Sequence, residues 1–271
     1  MRRLASELRR LRTAAGMSRE DVAEKTEINV ATLYRLESAK GRPQRRTMTS
    51  LLDLYQVQDE QRAELLALLK AAGEQGWLQT YVSSIPEEYG LYIQLESEAE
   101  SVRNYESLLV PGLLQTAAYT RASAQGQSPT WTADEVELQA RIRASRQALL
   151  TRSNPLVLWA IVDEAVLRRV VGSPEVMQEQ YQHLLQMMDS PHVTVQVVPF
   201  TAGAHPGMPG SFSLLNFPAP DPVVVCVESM AGSLFQETEG EVSRANMKYD
   251  HLRATALSPA ESTRLVTDLL R

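Results

Sequence analysis

Residues Ser18 to Glu37 leave little freedom in how they fold. Ser18 suits an N-cap, because its hydroxyl accepts from a backbone N–H left open at a helix start, and Asp21 stands where a capping box places its acid. Val22 and Ala23 supply an apolar face, and small Ala23 lets a second helix cross closely. Asn29 caps that second helix, where Leu33 and Leu36 share one side while Val30, Ala31, Thr32 and Arg35 point elsewhere. Two short helices joined by a tight turn, the second exposing short side chains and an arginine, make the helix-turn-helix pattern that lays its second helix in the DNA major groove. Glu27 stands in the turn, where glycine would relieve a left-handed backbone.

The flanks extend this pattern. Leu4, Leu8 and Leu11 space an amphipathic first helix that ends near Gly16. Gly41 and Pro43 break the third helix, and the loop from Lys40 to Arg46 is basic. Thr47 is expected to cap a fourth helix with Leu51, Leu52 and Leu54 inward, and a fifth runs from Asp59 to Ala72. Residues 1–55 carry twelve Lys and Arg against seven Asp and Glu, a net of +5, while the whole chain is −6. A basic head on an acidic body suits a polyanion held by the head alone. Arg19, Val30, Ala31, Thr32 and Arg35 are the base-reading candidates, with Arg35 suited to a bidentate contact on guanine. Asn29, Lys40, Arg42, Arg45 and Arg46 are the phosphate candidates.

The spacing and apolar positions of residues 4–57 resemble the lambda-repressor-like (Xre, Cro/CI-type) helix-turn-helix family. The resemblance implies a five-helix, all-α domain that binds double-stranded DNA. It also places Arg12 and Glu37 where that family often sets a structural ion pair between first and third helices.

At 271 residues the chain has room for about two domains. A boundary is expected near Gly73–Gly76, giving a helix-turn-helix domain over 1–72 and an α+β domain over 77–271. No run approaches the roughly 18 apolar residues of a membrane span. Arginines interrupt any signal-peptide core near the N-terminus, and the single cysteine, Cys226, excludes a disulfide framework. A cytoplasmic protein is expected. In the second part, helices are expected around 93–107, from Thr132 to Leu150, from Ser173 to Met188, from Glu239 to Ala256 and after Ser258. Strands are expected at Leu156–Val162, Val193–Pro199, Phe212–Phe217, Val223–Val227 and Ser233–Gln236. Together these make one small mixed or antiparallel sheet with flanking helices.

The segments Tyr105–Thr116, Leu158–Arg169, Val195–Phe200 and Gly203–Gly207 look like successive motifs of the actinobacterial regulators whose C-terminal region is domain of unknown function 5753. That resemblance implies a transcriptional regulator, often encoded beside a small protein of the domain-of-unknown-function-397 family, some pairs being antitoxin-like and toxin-like. The expected partners are therefore duplex DNA, a second copy of the chain in a homodimer, and such a small protein. Sensing of a small molecule by the second domain is the alternative. Gly203, His205, Pro206 and Gly207 lie in a loop rich in Gly and Pro that can face a partner or cover a pocket. His205 and His192 lack the spacing of a metal site, and Asp163–Glu164 have no paired base or nucleophile. No metal, cofactor or catalytic residue is expected.

Overall fold

Helix α1 (Arg2–Ala14) turns Leu4, Leu8 and Leu11 to one side and stops before Gly16, whose φ of 67° is the left-handed conformation that ends helices. This computed structural model describes residues 2–37, 41, 43–74, 85–229 and 232–271, and the chain divides into two units, Met1–Ile85 and Pro86–Arg271. In the first unit α2 (Arg19–Thr26), α3 (Val30–Glu37), α4 (Arg45–Leu54) and α5 (Asp59–Glu74) follow. Their core is Val22, Leu33, Leu36, Met48, Leu51, Leu52, Leu65 and Leu69 packed on the three α1 leucines. Each such side chain contributes roughly 1.5–3 kcal/mol by leaving water.

The start of α4 differs from the sequence reading. Thr47 is inside the helix, Gln44 takes the N-cap position, and Arg45 and Arg46 form the first turn rather than a loop. The Gln44 carbonyl accepts from Met48 N at 2.9 Å, so the helix begins three residues earlier than a cap at Thr47 would place it.

Glu27 has φ 59° and ψ 14°, a left-handed conformation in which an L side chain crowds its own carbonyl. Glu27→Gly is expected to stabilise the first unit by about 0.5–1 kcal/mol, the relieved strain exceeding the added freedom of the unfolded chain. Denaturant melts of the two proteins check this, and a lower midpoint for the glycine variant would refute it.

The second unit is built on a six-stranded sheet in the order β3-β2-β1-β4-β5-β6. The strands are β1 (Ser101–Glu106), β2 (Val157–Asp163), β3 (Val193–Val198), β4 (Phe212–Asn216), β5 (Val224–Ser229) and β6 (Gly232–Gln236). β1, β2 and β3 are parallel, and β4, β5 and β6 continue antiparallel from β1, so the sheet is mixed. The helices are α6 (Glu87–Glu98), α7 (Ala117–Gln127), α8 (Ala133–Gln147), α9 (Glu164–Arg168), α10 (Pro174–Met188), α11 (Glu239–Thr255) and α12 (Pro259–Asp268). The stretch expected to be helical to residue 107 ends at Glu98, and Ser101–Glu106 is a central strand. Its pairing with β2 on one side and β4 on the other outweighs a local pattern that lacks an apolar alternation.

One sheet face carries the larger core, with Val102, Leu158, Ala160, Val195, Leu215 and Cys226 under side chains such as Leu95, Tyr119, Tyr181 and Val266. The other face packs Tyr105, Ile161, Val198, Phe212 and Val225 against Ala245, Tyr249 and Leu252 of α11. The bend at Pro111–Gly112 is a short 3₁₀ turn, Gly112–Leu114, and buried Gln180 satisfies it. The Gln180 amide accepts from Thr116 N at 2.8 Å and donates to Leu114 O at 2.7 Å. The outer edge of β3 is covered, since Val197 N donates to Ser262 Oγ at 3.0 Å and Val197 O accepts from Leu257 N at 2.8 Å.

A buried ion pair ties α6 to α8. Arg146 meets Glu96 in a two-pronged contact, Nε to Oε2 and Nη2 to Oε1 both at 2.7 Å, with side chains 4% and 1% exposed. Arg146 Nη1 also donates to Tyr89 Oη at 3.0 Å, and its guanidinium lies 5.2 Å from the Tyr92 ring centre.

Candidate nucleic-acid interface

Helix α2 starts on a complete capping box. Ser18 Oγ accepts from Asp21 N at 3.1 Å, and Ser18 N donates back to Asp21 Oδ2 at 2.8 Å. The Ser18 hydroxyl and backbone bonds hold the Asp21 carboxyl below its usual range. Asn29 caps α3, with Oδ1 accepting from Ala31 N at 2.8 Å. Its position at a helix N-terminus suits a nearby phosphate.

Inside α3 the side chains divide cleanly. Leu33, Leu36 and Glu37 are buried, and Val30 is half-buried at the start. Ala31, Thr32, Tyr34 and Arg35 are exposed on the opposite face. Tyr34, 49% exposed, is a further outward side chain, absent from the base-reading candidates of the sequence. Its place three residues after Ala31 is the signal that identifies it, because i and i+3 share a helix face. The Arg35 side chain runs beside Gly41, where an added Cβ would stand 3.6 Å from the Arg35 Cβ and 3.8 Å from its Nε.

Glu37 joins the three helices electrostatically. Arg12 Nε donates to Glu37 Oε1 at 2.6 Å and Arg12 Nη2 to Oε2 at 3.1 Å. Arg12 Nη1 donates to Met17 O at 2.8 Å, closing the α1–α2 turn onto the same group. The Glu37 contact raises the Arg12 pKa further. Arg19, expected at base edges, has its Nε on Glu37 Oε2 at 2.8 Å and its guanidinium 5.4 Å from the Tyr34 ring centre. The Arg19 side chain thus bridges a buried carboxylate and the exposed tyrosine.

Arg45 and Arg46 are exposed in the first turn of α4. That turn holds no acidic residue, and Gln44 gives it no side-chain cap bond. Two cations at the positive end of a helix dipole form a strong local positive field that attracts anions. Lys40 and Arg42 lie outside the described residues.

In the second unit the Gly/Pro loop folds inward. His205 Nε2 is 3.3 Å from Asp163 Oδ2, its Nδ1 accepts from Gly207 N at 3.2 Å, and its side chain is 7% exposed. Tyr105 donates its hydroxyl to the same Asp163 oxygen at 3.3 Å, and a Cβ at Gly207 would overlap the Tyr105 ring. Gly203 is exposed with φ 66°, and Pro206 is half-buried. The outward side chains nearby are Phe200, 60% exposed, and Met208, 69% exposed. Asp163 Oδ1 also caps α9 through Ala165 N at 2.9 Å, so this acid has a structural task.

Five helices around one leucine-rich core, the third with one face buried and the other exposed, define a helix-turn-helix protein. Residues 3–65 match a helix-turn-helix domain, which points to a DNA-binding regulator rather than an enzyme. Residues 89–268, more than half of the chain, match domain of unknown function 5753 (DUF5753), and the chain belongs to that family. No curated protein and no solved structure matches the chain. Among the described residues no helix is long and apolar enough to cross a membrane.

Proposed function

We propose that the chain is a sequence-specific transcriptional regulator of the Xre, Cro/CI-type, which lays α3 in the major groove of its operator. The carrying observation is the exposed strip Ala31, Thr32, Tyr34 and Arg35 on a helix whose opposite face is anchored by Leu33, Leu36 and Glu37. Arg35 reads a base edge, Ala31 and Thr32 meet thymine methyls, and Val30 supports them from the helix start. Arg19 orients Tyr34 and Glu37. Asn29, Arg45 and Arg46 hold phosphates, with the uncapped α4 N-terminus adding its dipole. Lys40 and Arg42, just before α4 in the sequence, add to this positive charge.

The protein acts as a cytoplasmic homodimer on two half-sites about one helical turn, roughly 34 Å, apart. One helix of eight residues reads too few base pairs alone. The second unit carries the dimer contact and binds a small protein of the domain-of-unknown-function-397 family, in an antitoxin-like pairing of the actinobacterial type. Exposed Leu108, Val170, Phe200 and Met208 support this, because all four lie in segments that leave the same end of the parallel strands β1, β2 and β3.

Arg35→Ala is expected to cost about 1–3 kcal/mol at one base position and relax the preference there. Arg46→Ala is expected to weaken all sequences alike and lower the salt slope by about one unit. Binding titrations against an operator library at two salt concentrations separate the two. An unchanged base preference in Arg35→Ala would remove α3 from the groove.

A further inference from the structure

Helix α12 has a buried side and a second side that lines a groove. Val266 belongs to the larger core, and the Ser262 hydroxyl accepts from Val197 N at 3.0 Å. Glu261, Arg264, Leu265, Asp268 and Leu269 follow the i, i+3, i+4, i+7, i+8 spacing of one helix side. With Arg168, the last residue of α9, they line a groove of about 400 Å³, a size usual for small-ligand sites. Val166 and Leu167 anchor α9 in the same core as Val266, so packing sets both helices before any ligand arrives. Leu265 and Leu269, half-buried against that core, supply the apolar part of the lining.

The charged groups of the groove retain open hydrogen-bonding capacity. Arg264 is exposed and makes no hydrogen bond or ion pair among the described residues. Arg168 turns Nε and Nη2 to Glu164 Oε1, at 3.1 and 3.0 Å, and its Nη1 makes no hydrogen bond among the described residues. Glu261 Oε2 accepts both Ser258 N at 2.9 Å and Ser258 Oγ at 2.6 Å, while Oε1 accepts nothing among the described residues. Asp268 meets Arg271 at 3.3 Å, a pair open to water and weak for that reason. The Ser258 hydroxyl and backbone bonds, with the Arg264 charge adding to them, hold the Glu261 carboxyl below its usual range.

Two guanidiniums, two carboxylates and a leucine pair therefore share one groove, with neither sign of charge in surplus. Such a lining offers a partner to each end of a molecule that carries both charges, and leaves one group of a simple anion or cation site unused. We propose that the groove binds a small zwitterion with an apolar side chain, the chemistry of a free amino acid such as leucine or phenylalanine. The ligand carboxylate accepts from Arg264, with Arg168 as a second donor from α9. The ammonium donates to Asp268, four residues on from Arg264 and so on the same helix side. Leu265 and Leu269, each one position past those two residues, receive the apolar side chain. Glu261 stays with its capping box. This site goes beyond the DNA-binding reading and stands without it.

The test is calorimetric titration of the full chain with leucine and phenylalanine. Isocaproate is leucine without its ammonium, isoamylamine is leucine without its carboxylate, and glycine lacks the side chain. Leucine and phenylalanine are expected to bind, and each of the three controls to bind at least about tenfold more weakly than leucine. Arg264→Gln and Asp268→Asn alter exposed positions and should melt with the parent. Arg264→Gln should weaken leucine and isocaproate alike, by at least about tenfold. Asp268→Asn should weaken leucine alone and bring it within about twofold of isocaproate, a change that general damage to the groove would not produce. No saturable binding of either amino acid up to about 10 mM overturns the proposal. So does isocaproate or isoamylamine binding as tightly as leucine, or a leucine affinity unchanged in Arg264→Gln.

Discussion

Glu96→Ala is expected to destabilise the second unit by about 4 kcal/mol, because it leaves the Arg146 guanidinium charged and unpaired in the interior. For a unit of this size that corresponds to a fall in melting temperature of about 8–16 °C. Arg146 is 4% exposed and cannot swing to water, and Tyr89 Oη offers it one neutral contact in place of a carboxylate. The adjacent Tyr92 ring gives a cation–π contact that does not cancel the charge. The companion variant separates the pair from its packing. Replacing both Glu96 and Arg146 with methionine removes two buried charges together and should recover most of the loss. Melts of parent, single and double variants check this. A double variant as unstable as Glu96→Ala would show that shape, not charge pairing, holds α6 to α8.

The second large effect is expected at Glu37. Glu37→Ala strands Arg12, whose side chain is 13% exposed, and releases Arg19, 31% exposed, toward water. Because Arg19 can regain solvent, the cost falls at the low end for a broken buried pair, about 3 kcal/mol. In a unit of 85 residues this lowers the melting temperature by about 12–24 °C. Hydrogen exchange of the full chain assigns the loss to its unit, and residues 86–271 should keep their protection. Arg19→Ala should cost less than about 1 kcal/mol, since Arg12 still holds both Glu37 oxygens. Equal losses in the two variants would mean that Arg19, not Arg12, is the main partner.

Where a residue's role is set by its near neighbours in sequence, the fold was legible in advance. The capping boxes at Ser18, Thr132 and Ser258, and Pro174 at a first helical position, need only three or four residues to operate. Strand β1 was not legible, because Asn104 and Glu106 occupy positions where an apolar alternation would have announced it. Its conformation comes from partners more than 50 residues away in sequence, in β2 and β4. Threonine is in general a better cap than glutamine, yet the extended Gln44 takes the N-cap position of α4, three residues before Thr47. The inward turn of His205 depends on Asp163, which no spacing rule connects to it.

The division of labour inside α3 bears on how this chain can change over time. Leu33, Leu36 and Glu37 carry the packing and the ion pairs, and none of them is on the outward strip. Ala31, Thr32, Tyr34 and Arg35 can therefore be exchanged with little penalty to folding, since exposed helix positions tolerate most residues within about 0.5 kcal/mol. If this strip reads the operator as proposed, duplicated copies of such a gene can diverge in what they read while inheriting one scaffold unaltered. Under the proposed reading, four codons are then enough to move a regulator to a new set of targets, with the core of the first unit unchanged.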